Sequence, residues 1–145
     1  MNSEMRLKIL ENVYVSVLVD SIYHFSRQGV LDKVTEDKRR MQILMGKKQV
    51  EQFRMTKAED VFIVLSEVFN CASWEIEQTD KGFEAKAKTC RLCAYAKKLE
   101  SESPCNIYCL NPMEGMIQGI NPKLKFEVSE TLWSGKKCRV NVSRK

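Results

Sequence analysis

The stretch Trp74–Thr89, WEIEQTDKGFEAKAKT, decides the fold. Trp74, Ile76 and Gln78 alternate with Glu75, Glu77 and Thr79. Successive side chains of a strand point to opposite faces, so this alternation describes a half-buried strand. Asp80-Lys81-Gly82 then reads as a tight turn with glycine where positive φ is wanted. Phe83, Ala85, Ala87 and Thr89 continue on the return strand, with Glu84, Lys86 and Lys88 facing out. The residues before the stretch have a period near 3.6, so the chain changes from helix to hairpin here.

Upstream, three helices are expected. The first spans about residues 3–28, with Leu7, Leu10, Tyr14, Val17, Ser21 and Phe25 on one stripe and Gly29 as terminator. Val13, Leu18 and Ile22 widen that stripe, which points to burial on more than one side or to pairing with another subunit. His24, the single histidine, reads as a packed or surface helix residue. The second helix, about 32–53, is polar, with an interruption expected at Gly46, and is placed across the surface. The third opens at Thr56-Lys57-Ala58-Glu59, a capping box, and runs to about Asn70.

Downstream of the hairpin, Cys90–Leu99 reads as a short helix, and Pro104–Gln118 as another, bent at Pro112. A second hairpin closes the chain. Leu124, Phe126, Val128 and Glu130 share one face of its first strand, and Cys138, Val140 and Val142 one face of its second. The expected fold is one α+β domain, residues 1–145, of order ααα-ββ-αα-ββ, with two antiparallel hairpins in one sheet packed by helices. Residues 1–70 are its helical part, and residues 71–145 carry the hairpins and most of the cysteines.

Composition narrows the function. A net charge of +5 is spread over short basic runs interleaved with acids. Nucleic-acid binding calls for a concentrated basic face with stacking aromatics, and neither is present. No apolar run is long enough to cross a bilayer and no secretory leader is evident, so a cytoplasmic location is expected. In a reducing compartment, clustered thiols are free, metal-bound or catalytic rather than disulfide-linked.

Five of the six cysteines are placed to matter. Cys90-x-x-Cys93 lies where the first hairpin gives way to a helix, and Cys105 and Cys109 are four apart on the next helix. Cys138 sits on the apolar face of the last strand. All five can meet between sheet and helices. Three readings stay open: a thiolate site for zinc, with an iron–sulfur cluster as the alternative; a nucleophilic or redox cysteine favoured by a helix N-terminus; or small buried side chains. Cys71 stands apart as a buried apolar residue. Glu130 continues a buried alternation and so calls for a partner. Tyr95, Tyr108 and Trp133 flank the cysteines.

The runs Cys93-Ala94-Tyr95-Ala96, Cys105-Asn106-Ile107-Tyr108-Cys109 and Glu130–Val140 (ETLWSGKKCRV) resemble the L-2-amino-thiazoline-4-carboxylic acid hydrolase family. More distantly, they resemble 4-vinyl reductase domains. The resemblance covers about Cys90–Val142 and implies the α+β fold read above. The hydrolase relation implies opening of a small sulfur-containing ring by water, with Cys93, Cys109 and Cys138 at the family's cysteine positions. Cys93 is then the candidate nucleophile and Glu130 its acid–base partner. The 4-vinyl reductase relation implies a small-molecule sensor holding zinc through Cys105, Cys109 and Cys138, with Glu130. Either way a small molecule is the expected ligand, and the long first helix is the expected seam of a homodimer.

Overall fold

A helix α1, Ser3–Arg27, leads the computed structural model, which describes residues Met1–Lys145. The Asn2 side chain accepts from the Met5 amide at 2.8 Å, and Gly29 ends the helical region at φ +72°. The buried face of α1 is not the expected stripe. Val15, Val19 and Ile22 are buried, whereas Leu7, Leu10, Val13 and Val17 are about half exposed or more. Apolar residues surround this helix, so periodicity alone did not single out the face the body covers.

Helix α2, Leu31–Gln52, runs without interruption through Gly46. It does not lie loosely across the surface. Gly46 is buried, and a Cβ placed there would run into the backbone of Gly115 on a later helix, α5 (Asn111–Ile120). Two glycines facing each other let the helix backbones touch. Hydrophobic periodicity cannot register a contact made by residues without side chains.

Helix α3, Ala58–Phe69, buries Ala58, Val61 and Phe62. Its capping acid is Asp60 rather than the expected Glu59, because the helix starts later than the Thr56 box implied. The Asp60 carboxylate accepts from the amides of Thr56 (2.8 Å) and Lys57 (3.0 Å) and from the Thr56 hydroxyl (3.2 Å). These bonds, the Thr56 amide first, hold its pKa below the usual 3.8. Asn70 closes the helix in the left-handed region at φ 50°.

Strands β1 (Glu75–Thr79) and β2 (Gly82–Ala87) form the first hairpin, and β3 (Leu124–Glu130) and β4 (Cys138–Arg144) the second. They join as one antiparallel sheet of order β1-β2-β4-β3. Phe83, Ala85 and Ala87 of β2 and Cys138, Val140 and Val142 of β4 are buried on the helix-facing side. Gly82 does not have the positive φ expected of it. A Cβ there would instead meet the Val142 carbonyl, so glycine is needed for the close approach of β4. On the outer face Glu84 pairs with Lys86 (2.8 Å) and Arg139 (3.4 Å).

Between the hairpins lie α4, Arg91–Lys98, and a π-helical turn, Asn106–Leu110, leading into α5, Asn111–Ile120. The bend expected at Pro112 takes the form of that turn. Proline has no N–H for the Tyr108 carbonyl, and its ring crowds that carbonyl. The Asn111 amide bonds instead to Asn106 O, five residues back. The observed order is ααα-ββ-αα-ββ in an α+β fold. The core centres on Phe62, which meets Trp74 and Phe83 edge-on at 5.2 and 5.7 Å. Each such burial contributes about 1.5–3 kcal/mol. No helix is long and apolar enough to cross a membrane.

Candidate active site

Cys90 is the N-cap of α4, and the Cys93 amide donates to its sulfur at 3.5 Å. The cap position follows from the sequence: β2 ends at Ala87, and a helix-forming run begins at Arg91. The segment after α3 is fixed beside it. The Arg91 amide donates to Cys71 O at 2.8 Å, and Ala72 bridges to Cys90. Thus Cys71, expected to stand apart, comes to the same site.

Cys93, one turn along α4, is only 4% exposed, and its sulfur lies 3.5 Å from that of Cys105. Cys105 precedes the π turn, where its amide donates to Ser103 Oγ at 3.2 Å. Cys109, on the turn, and Cys138, opening β4, complete the group. These five sulfur-bearing residues line one small cavity of about 20 Å³. That is room for about one water-sized occupant. No group of three or more His, Cys, Asp or Glu side chains is arranged to hold a metal ion.

The thiols differ in acidity, with physical causes. Cys93 keeps its proton because its thiol donates to Cys105 and Cys90, and its pKa rises well above 9.0. The same hydrogen bonds lower Cys90 and Cys105 as thiolates, and backbone amides at the start of α4 add to the effect at Cys90. Burial, then the neighbouring cysteines, raises Cys109 well above its ordinary value. Burial also pushes Cys138 up to about 11 and Cys71 up to about 11.

A larger chamber of about 260 Å³ adjoins this cavity. Cys90 and Cys109 line both spaces, so their side chains form the wall between them. Trp74 and Leu92 share that wall. The rest of the chamber comes from Tyr14 of α1, Gln49 of α2, Leu65 and Phe69 of α3, and Met113 and Met116 of α5. Tyr14 stacks on Phe69 at 4.8 Å. Burial, then Cys71 and Cys109, pushes the Tyr14 hydroxyl up to about 12, so it stays a neutral donor. The Gln49 side-chain oxygen is buried without a hydrogen-bond partner.

Other expected residues lie elsewhere. Glu130 finds its partners in the loop between β3 and β4. Its carboxylate accepts from the amides of Lys136 (3.1 Å) and Lys137 (3.0 Å), and lines neither cavity. Trp133 lies under Lys97 at 5.6 Å, and Tyr95 meets Ser16 at 3.3 Å. Tyr108 does line the chamber, with its hydroxyl 2.6 Å from Ser21 Oγ. His24 is exposed, 3.4 Å from Asp20. Sequence reading missed Tyr14, Gln49 and Trp74 as site residues. Tyr14 was assigned to a packing stripe, Gln49 to a polar helix and Trp74 to a strand face, and only their convergence in space marks them.

What this arrangement can do follows from its parts. A thiolate at a helix N-terminus borders a partly open apolar chamber, with protonated thiols beside it and the Tyr14 phenol on the same lining. Such a site can bind a small molecule and present it with a nucleophile. No curated protein and no solved structure matches the chain. The model of one family, described as L-2-amino-thiazoline-4-carboxylic acid hydrolase, matches residues 10–141, extending well before the cysteine-bearing half, and the chain belongs to that family.

Proposed function

We propose that the chain is a hydrolase that opens a small sulfur- and nitrogen-containing ring, with Cys90 as its nucleophile. One observation carries this reading: Cys90 is the helix-capping thiol on the wall of the apolar chamber. Cys93 is less suited to that role, being 4% exposed and the proton donor of the pair. In the proposed reaction the Cys90 thiolate adds to the ring carbon of the C=N group. The bond from that carbon to the ring heteroatom breaks, and the departing heteroatom takes a proton. Water then attacks the thiol-bound carbon, releasing the opened product and restoring the thiol. The Tyr14 hydroxyl, kept neutral by burial, is the proton donor on the chamber lining in this scheme. Glu130, bound to its own loop, takes no part in this scheme.

A second reading has its own supporting observation, five cysteines round a space of about 20 Å³. The donor set suits zinc or an iron–sulfur cluster, since thiolates are preferred ligands of both. The geometry is less favourable, since three ligands are not yet grouped and Cys93 spends its proton on Cys105.

The test is a hydrolysis assay on protein purified without oxygen, with its zinc, iron and sulfide measured on the same sample. The substrates are 2-amino-thiazoline-4-carboxylic acid and 2-methyl-2-thiazoline, with ring-opened product followed by mass spectrometry. The expected result is turnover that falls at least about a hundredfold in Cys90→Ser, in protein without stoichiometric metal. No turnover of either ring would sink the hydrolase reading and leave a binding role. One metal per chain, lost on substituting any of several cysteines, would favour the second reading.

A further inference from the structure

We infer that Cys90, Cys93 and Cys105 form an oxidisable thiol relay, in which a peroxide oxidises Cys90 and Cys93 then closes a disulfide on it. The bridge ties up the nucleophile of the proposed reaction, so the relay regulates that same site. In this consequence, though not in its chemistry, the inference rests on the proposed function.

The first argument is the order of the sulfurs. Cys90 is partly buried and lines both the partly open chamber and the small cavity. Cys93 and Cys105 line the small cavity and not the chamber. The Cys93 amide donates to the Cys90 sulfur at 3.5 Å, and its thiol donates to Cys90 and to Cys105, whose sulfur lies 3.5 Å away. A small oxidant in the chamber therefore meets Cys90 first, with Cys93 next in line and Cys105 beyond it. Two cysteines three residues apart, the first capping a helix, is an arrangement suited to dithiol redox chemistry.

The second argument is what each thiol is ready to do. The hydrogen bond from Cys93, followed by the backbone amides at the start of α4, favours the Cys90 thiolate, the form that attacks a peroxide. The hydrogen bond from Cys93 also favours the Cys105 thiolate, which makes Cys105 the acceptor for the Cys93 proton. The remaining thiols are placed otherwise. The Cys138 sulfur accepts from the Leu132 amide at 3.3 Å, and Cys71 meets the Phe69 carbonyl at 3.7 Å. Cys109 is held protonated by burial.

In the first step the Cys90 thiolate attacks one peroxide oxygen and the O–O bond breaks. The sulfur is oxidised to a sulfenic acid, the peroxide is reduced, and the departing hydroxide takes a proton from solvent. The Cys93 sulfur then attacks the Cys90 sulfur and the S–O bond breaks. The Cys93 proton passes to the Cys105 thiolate, and the second hydroxide also takes a proton from solvent. The peroxide has accepted two electrons from the pair and become two waters. A small dithiol reverses the bridge by thiol–disulfide exchange and is itself oxidised.

The test uses the full chain, reduced, metal-free and oxygen-free, with about one equivalent of hydrogen peroxide per chain. Peptide mass spectrometry maps disulfides, and dimedone traps sulfenic acids. The wild type is expected to form the Cys90–Cys93 bridge, to consume Cys90 at least about tenfold faster than Cys71, and to be restored by dithiothreitol. Cys93→Ser is expected to stop at the Cys90 sulfenic acid. Cys105→Ser is expected to close the bridge at least about fivefold more slowly, with more Cys90 captured by dimedone. The wild-type map decides the matter even where a variant folds poorly. A Cys93–Cys105 bridge as the first product overturns the inference, as does oxidation of Cys71 as fast as Cys90. The ring-opening assay fails separately. A Cys90–Cys93 bridge in protein that turns over neither ring supports the inference and sinks the hydrolase reading. Turnover by reduced protein that forms no such bridge under peroxide overturns the inference and leaves the hydrolase reading standing.

Discussion

Cys90 shows how a residue's position in an element sets its chemistry. As an ordinary thiol it would be mostly protonated at neutral pH. As the N-cap of α4 it receives the Cys93 amide, and the neighbouring Cys93 thiol donates to it as well. Both interactions favour the thiolate and lower the pKa. Burial acts the opposite way on Cys71 and Cys138, each pushed up to about 11. A pH profile of alkylation by iodoacetamide should therefore split the thiols. Modification of Cys90 should reach its plateau by about pH 8, because the thiolate is already formed there. Cys71 and Cys138 should still be gaining rate beyond pH 9. Peptide mass spectrometry reads each site, and a profile for Cys90 that tracks Cys71 would remove the case for an activated thiol. This much was open to sequence reading, since a cysteine where a strand gives way to a helix is a recognisable signal. The choice of Cys90 over Cys93 was not, because which thiol faces the chamber depends on how α4 rolls against its neighbours. Glu130 was misjudged for a related reason. Alternation placed it on the inward face, but a register shift between Val128 and Glu130 and the loop beyond give it amide partners instead.

The decisive contact between elements is the crossing of α2 and α5. Gly46 and Gly119 meet there, and a Cβ on Gly115 would lie 2.5 Å from Gln42 O. Gln42 also donates to the Ile107 carbonyl at 3.0 Å, tying α2 to the π turn. The crossing has a functional consequence, because α2 brings Gln49 and α5 brings Met113 and Met116 to the lining of the chamber. Alanine in place of glycine raises helix propensity by about 1 kcal/mol at an unconstrained site. At Gly115 it should do the reverse. Overpacking against a backbone that cannot swing away costs about 1–3 kcal/mol beyond that gain. Urea unfolding of Gly115→Ala should show a lower midpoint with an unchanged slope. A midpoint equal to or above that of the parent chain would mean that the helices have slack at this point. The sequence hid the crossing because glycines read as breaks, and α2 has few apolar side chains to announce a buried face. The hairpins were legible for the opposite reason. Phe83, Ala85, Ala87, Val140 and Val142 carry their burial in a period of two that no helix shares.

At the scale of the whole molecule, the order of elements was readable, while the way α1 is used was only half so. Its second half lies against the body through Val15, Val19 and Ile22, and Glu11 and Asn12 tie it to Arg91. Its first eight residues, 3–10, are all exposed. The expected stripe is uncovered at Leu7 and Leu10, each 54% exposed, and at Val17, 59% exposed, while Tyr14 and Ser21 of the same stripe meet Phe69 and Tyr108. Leu7, Leu10, Val13 and Val17 follow one another at three- and four-residue steps, the spacing of a helix that packs along another helix. These four stay about half exposed, and a second copy offers a matching stripe by symmetry. Sedimentation equilibrium should therefore show a dimer at micromolar concentration. Leu10→Glu should shift the equilibrium at least about tenfold toward monomer, since a charge would then sit in the apolar seam. The same substitution should leave the unfolding midpoint of the monomer nearly unchanged, because Leu10 is outside the buried core. Tyr14 and Phe69 border both this face and the chamber, so pairing of two copies would lie next to the ligand site. A strictly monomeric chain at tens of micromolar would leave α1 as a helix whose apolar stripe serves no second copy.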